Sequence, residues 1–274
     1  MMRRALLLLM LPALAAVARG DAAEGAATPT PEQADLAAVQ VAELAAEAQA
    51  GGVSWKVIGN LDQAFVGLEA KYPRSVAVRL EHGNFLQGTN RRDEALAKWQ
   101  QAEKLDGNNA ALCQCLGMYW LDCGDTPRGT GYLERAVALA PGNALMHFNL
   151  GNGLYLFRHD LTTPRMTEVA VVDRALAELR KASELEPLET DYALGYADTF
   201  YAIPVANWPE ALRAWQHFYD ITPDKNFAAI NLARVSLQMK DKAGARKYLD
   251  RVNGAGFEGL KKKLMAQASG GNAE

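Results

Sequence analysis

The residues best suited to metal or redox chemistry are three cysteines and four histidines, and Cys113 and His147 stand 34 positions apart. A thiolate beside an imidazole is a soft ligand pair, but a structural zinc site takes four such ligands. Cys113 and Cys115 fall on different faces of a predicted helix. Cys115 and Cys123 would lie about 12 Å apart along one, too far for a disulfide, so all three read as small buried thiols. The chain has no Gly-rich phosphate loop, no His-Glu-x-x-His and no Cys-x-x-Cys. The expectation is therefore no catalytic residue, no metal and no cofactor; an enzyme or metalloprotein built on Cys113 and His147 is the weakest alternative. The run Lys261-Lys262-Lys263 reads as a solvated helix end, with contact to anionic lipid as the sharper alternative.

The elements that would position any site are helical. Of 274 residues 49% are hydrophobic, dominated by Ala and Leu, which lose little side-chain freedom in a helix. The formal charge is −3. Such a chain lacks the basic footprint that phosphate backbones require, and nucleic acid is not expected as a partner. Residues 1–18 have the form of a signal peptide: Arg3 and Arg4, an apolar stretch over 5–16, then Ala16-Val17-Ala18. The apolar stretch is too short to span a bilayer, and no later one is longer. The chain is thus expected to be exported, periplasmic or extracellular, with no stable membrane insertion after cleavage. Residues 19–31, rich in Ala, Gly, Thr and Pro, read as a flexible mature N-terminus.

From there the sequence repeats. A small residue, a bulky one four later and another apolar or small one three later recur as Ala95/Trp99/Ala102, Gly129/Leu133/Ala136, Ala175/Leu179/Ala182, Ala211/Trp215/Phe218 and Ala245/Leu249/Val252. A second series, Gly83, Gly117, Gly151, Ala197 and Ala233, keeps the same register. The steps are 34 residues except for twelve extra between Gly151 and Ala175 and two between Ala197 and Ala211. Pro141, Pro187 and Pro223 each follow their small residue by twelve, with Gly107 standing in for the first, and so end the second helix of each unit. Small residues belong where two helix backbones cross closely. The bulky ones form the stripe that a partner helix covers.

At these residues the chain resembles the tetratricopeptide repeat family, as found in exported bacterial proteins. The clearest stretch runs from Leu116-Gly117 through Tyr132-Leu133 and Ala136 to Pro141, with Asp93-Glu94-Ala95-Leu96 and Trp208-Pro209-Glu210-Ala211-Leu212 as further matches. The resemblance implies an all-α, right-handed superhelical solenoid of antiparallel helix pairs. Its units fall at 76–109, 110–143, 144–189 (with an insertion at 162–173), 190–225 and 226–253. A degenerate capping pair precedes them at 32–75, a capping helix follows at 254–268, and a disordered tail ends the chain at 269–274. His82 and Ser236 depart from expected apolar positions, Gly129 replaces Ala, and Phe218 replaces a small residue. The Val-rich half of the insertion either lengthens the next helix or protrudes as a contact.

The resemblance further implies a protein–protein interaction scaffold of the cell envelope, with an extended partner segment held in a concave groove lined by first helices. Helical spacing from each small marker puts on that face Leu80, Asn84 and Gln87; Gln114, Met118 and Leu121; Phe148, Asn152 and Tyr155; Leu194, Asp198 and Tyr201; then Ile230, Arg234 and Leu237. About half are expected to pack against neighbouring helices instead. The mixture is amide, aromatic and nearly neutral. Leu80 and Phe148 stand where a carboxylate-gripping lysine would, so an acidic tail is not the expected ligand. A lipid or glycan taken by the aromatic groove is the alternative.

Overall fold

The computed structural model describes residues 29–47, 54–203 and 207–270. The expected signal peptide, most of the flexible N-terminus and residues 271–274 lie outside them. The described residues are all-α, with one isolated β-bridge between Thr163 and Met166. In order the helices are α1 (Pro31–Glu47), α2 (Trp55–Lys71), α3 (Val76–Gly88), α4 (Arg92–Leu105), α5 (Ala110–Asp122), α6 (Thr126–Leu139), α7 (Ala144–Leu156), the single turn α8 (Arg158–Leu161), α9 (Glu168–Leu185), α10 (Thr190–Thr199), α11 (Trp208–Ile221), α12 (Lys225–Gln238), α13 (Lys242–Leu249) and α14 (Glu258–Ser269). Short 3-10 turns at Phe200–Ala202 and Ala255–Phe257 lead out of α10 and into α14. Ser269, expected in the tail, is the last residue of α14, and Gly270 caps it in the left-handed conformation.

The helix boundaries follow from capping chemistry. Ser54, Ser75, Asn109, Asp125, Asn143, Thr167, Asn207, Asp224 and Asp241 each accept a hydrogen bond from the amide three residues on, satisfying one orphan donor of the first turn. Pro73, Pro141, Pro187 and Pro223 each stand two residues beyond the last helical residue. The turn inside a pair is also repeated. Asn90 (φ 65°), Gly124 (φ 81°) and Lys240 (φ 61°) take the left-handed conformation. The amide after each returns to the carbonyl five residues back: Arg91 to Leu86, Asp125 to Trp120 and Asp241 to Ser236, all at 2.9 Å. This is the six-to-one closure of a helix C-terminus, and it reverses the chain in three residues.

The chain divides into two compact units between Gly107 and Asn108. In the first, α1 packs on α2, α2 on α3 and α3 on α4, around Phe65, Val78, Phe85, Leu86, Ala95, Trp99 and Ala102. In the second, α5 pairs with α6, α7 with α9, α10 with α11 and α12 with α13, and α14 closes on α13 and α12. The marker residues form the cores. Leu133 and Ala175 share one cluster with Leu121, Leu150, Leu154 and Val171. Ala197, Ala211, Trp215 and Phe218 share the next, and Ala233, Ala245, Leu249 and Val252 the last.

The departures have local causes. Gly129 stands in place of Ala because α5 and α6 cross so closely that a Cβ there would lie 2.8 Å from Leu121 N and 2.9 Å from Gly117 O. His82 is 1% exposed and stacks on Phe65 at 5.1 Å, while its ring nitrogens meet Glu69 Oε1 at 2.7 Å and Asp62 Oδ1 at 3.0 Å. Arg91 in turn holds Asp62 at 2.8 Å and Lys98 holds Glu69 at 2.7 Å. The result is a charge-paired network at a position expected to be apolar. Ser236 returns its hydroxyl to Leu232 O at 2.9 Å, and Phe218 meets the rings of Trp215 and Phe227 edge-on. The Val-rich half of the insertion lengthens α9, burying Val171 and Val172. The other half is the tight Thr163–Met166 turn, pinned by Arg158 to Glu168 at 3.0 Å.

Candidate partner-binding face

The first helices carry the predicted site residues, apart from Tyr201 on the short turn that leads out of α10, and burial sorts them. Leu80, Gln114, Leu121 and Ile230 are buried. Contrary to their expected place on the groove, they are packing residues: Leu121 presses on Gly129 and Gly153, Ile230 belongs to the last core, and Leu80 offers its carbonyl to Trp99 Nε1 at 3.3 Å. Spacing assigns a residue to a helix face, but the size of the neighbour decides whether that face is covered.

In the first unit Asn84 and Gln87 are half-buried on α3. Asn84 Nδ2 donates to Glu81 Oε2 at 3.3 Å, and Gln87 Oε1 is buried with no hydrogen-bond partner among the described residues. Glu81, which spacing did not single out, is pushed above the usual carboxylate range by burial, with bonds from Asn84 and Gln40 opposing.

The second unit holds the richer face. Met118, Phe148, Asn152, Tyr155, Leu194, Tyr201 and Leu237 are half-buried, and Asp198 and Arg234 are exposed. Phe148 lies 4.7 Å from the Tyr192 ring, and Arg158 stands 5.1 Å over Tyr155. Tyr201, Asp198 and Arg234 converge around a residue that sequence reasoning missed. Asn231 is 2% exposed, donates to Phe227 O at 3.1 Å, and accepts Arg234 Nη1 at 2.9 Å. Tyr201 donates to Asn231 O at 3.3 Å, its ring 6.0 Å from Trp215, and Arg234 lies 4.4 Å over that ring. An Asn within the otherwise apolar run of α12 was the only signal for it. Burial pushes the Tyr201 hydroxyl up to about 12. Burial also raises the Asp198 carboxyl although its side chain reaches solvent, with Arg234 offsetting part of the effect. Neither Asp198 nor Asn152 makes a side-chain hydrogen bond among the described residues. The face thus offers an oriented guanidinium, an accessible carboxylate and, on α7, an amide free to bond, with aromatic rings beside them.

The histidine of the candidate soft pair is already engaged. His147 meets Glu178 Oε2 at 2.6 Å through Nδ1 and Pro141 O at 2.9 Å through Nε2, leaving no ring nitrogen for a metal. Cys113 is buried beside Ala136 and Met146. Among the described residues no group of three or more His, Cys, Asp or Glu could hold a metal ion, and no helix is long and apolar enough to cross a membrane.

Similarity to known proteins is clearest in three dimensions. PilF of Pseudomonas aeruginosa superposes with a TM-score of 0.60 at 13% identity, covering 88% of this chain and 99% of that one. YrrB, described as a TPR protein with an unusual peptide-binding site, superposes at 0.56 with 19% identity over 69% of this chain and 90% of its own. MamA superposes at 0.53 with 18% identity, covering 69% and 93%. The fold is a tetratricopeptide-type helical solenoid. No family model matches the sequence. One curated relative, anaphase-promoting complex subunit 3 of Schizosaccharomyces pombe, is 26% identical over 130 residues, which are 45% of this chain and 18% of that protein. The chain thus spans under a fifth of its relative's length. The tetratricopeptide-type fold accounts for the division of labour seen above: both helices of a pair supply small markers where they cross, and the first helices also carry polar and aromatic side chains left accessible.

Proposed function

We propose that the protein is a non-catalytic interaction scaffold of the cell envelope, taking an extended segment of another protein along the first-helix face. The observation that carries this reading is the fixed Tyr201–Asn231–Arg234 cluster beside Asp198, on a face where neither Asp198 nor Asn152 makes a side-chain hydrogen bond among the described residues. An extended backbone presents alternating donors and acceptors that an open amide can pair. A carboxylate raised by desolvation gains most from a donor brought by a partner. Phe148, Tyr155 and Tyr201 supply flat apolar area for the side chains, and buried aromatic and Arg contacts carry most binding energy in interfaces. The apolar start of the sequence supports an envelope location. YrrB, of the same fold, is described as having a peptide-binding site.

The test is affinity capture from an envelope extract with the full chain and with an Asn152→Ala/Asp198→Ala/Arg234→Ala variant. A protein held by the wild type and lost from the variant, with melting temperature unchanged, supports the scaffold. Failure of the wild type to hold any protein under gentle conditions removes it. A thermal shift produced by a lipid or glycan and by no peptide would redirect the face to a small ligand.

A further inference from the structure

The charge of the chain is unevenly placed. Whole, it has 29 lysines and arginines against 32 acids, yet from Lys240 to Lys263 eight basic residues face three acidic ones. This stretch comprises α13, the first half of α14 and the loops before and between them, gathered at one end of the second unit by the core of Ala245, Leu249, Val252, Leu264 and Ala268. Lys240, Lys242, Arg246, Lys247, Arg251, Lys262 and Lys263 are exposed, and none makes an ion pair among the described residues. Lys261 is half-buried and donates to Val252 O at 2.9 Å. Two apolar side chains stand out among them: Met239 is 39% exposed and Leu260 43%.

We propose that this end of the protein docks on an anionic lipid surface. Six of the eight cations are lysines. A lysine is a strongly hydrated point charge on a flexible stem, suited to a diffuse field of phosphates. A specific acidic protein partner favours the bidentate fork of arginine, and protein interfaces are depleted in lysine. Clusters of four to eight Lys and Arg are what anionic headgroups attract, and exposed apolar side chains beside them reach the headgroup boundary. The remainder of the chain carries an excess of acids, which disfavours wrapping by a nucleic-acid backbone. The inference does not depend on the proposed partner-binding face, whose residues it does not use.

The experiment is vesicle co-sedimentation of the full chain on phosphatidylcholine alone and on phosphatidylcholine with one third phosphatidylglycerol. The N-terminal apolar segment can act on both vesicles, so the difference between them is the readout. The expected result is stronger binding to the anionic vesicles that weakens as salt rises. In a Lys242→Glu/Lys247→Glu/Lys262→Glu/Lys263→Glu variant that preference falls by about a hundredfold or more. Equal binding to both vesicles, or an undiminished preference in a folded variant, overturns the proposal. So does saturable binding to a poly-glutamate peptide or to duplex DNA that displaces the protein from anionic vesicles. If the variant loses its helical signal, a Lys262→Gln/Lys263→Gln pair replaces it; in that pair a preference and salt response equal to the wild type's overturns the proposal.

Discussion

Gly129→Ala tests the claim that small residues mark backbone crossings. The added Cβ would stand 2.8 Å from Leu121 N, 2.9 Å from Gly117 O and 2.7 Å from Leu121 Cγ. Two of these atoms are backbone, so no side-chain rotation relieves the overlap. Reaching ordinary contact at about 3.5 Å requires α5 and α6 to part by about 0.6–0.7 Å. Overpacking of this kind costs about 1–3 kcal/mol, whereas replacing a helical Gly by Ala returns about 1 kcal/mol. Two backbone contacts that cannot rotate away put the cost in the upper part of that range, so packing wins, with a net loss of up to about 2 kcal/mol and a fall in melting temperature of up to about 4–8 °C for a chain of this size. Gly131 is the internal control: on the same helix, its added Cβ meets nothing within 4 Å. Gly131→Ala should therefore raise stability by up to about 1 kcal/mol. The assay is far-ultraviolet circular dichroism melting of both variants beside the wild type. If Gly129→Ala melts at or above the wild type, the reasoning about close crossing is refuted.

Three further outcomes follow from the same contacts. Burial works against the charged forms of Asp62 and Glu69, but bonds from Arg91, Lys98 and His82 outweigh it and hold both carboxyls below their ordinary range. Their stabilising contribution is therefore complete above about pH 5 to 5.5, clear of the unfolded carboxyl values, and is lost as pH falls through the lowered native values. A urea midpoint measured against pH should drop more steeply in acid for the wild type than for Asp62→Asn/Glu69→Gln, and identical slopes would contradict the network. His82→Ala removes a buried ring and one hydrogen bond from each acid, and should cost about 2–4 kcal/mol in urea unfolding; a loss under half a kcal/mol would leave the network without energetic weight. Lys240 holds a left-handed φ of 61° where Gly124 occupies the equivalent turn, so Lys240→Gly should stabilise by about 1 kcal/mol. A lower melting temperature there would show that the lysine makes a compensating contact.

The sequence determined the register. A pair of crossing helices admits only small residues at the crossing, and proline cannot continue a helix, so Gly117, Ala136 and Pro141 report helix pairing without coordinates. Capping residues such as Asn109 and Asp125 likewise act within one turn of their own position. Tertiary structure decided what depends on side chains brought from elsewhere. Leu121 and Ile230 share a helical face with accessible residues, yet they are buried because Gly129 and Gly153 let one approach and the last core encloses the other. His82 occupies an apolar position because Asp62 and Glu69 reach it from α2, 20 and 13 residues away. Asn231 orients Arg234 and Tyr201, and the tyrosine is 30 residues distant. Periodicity specifies directions around one helix; burial and charge pairing depend on the shapes and charges of its neighbours, which no local pattern contains.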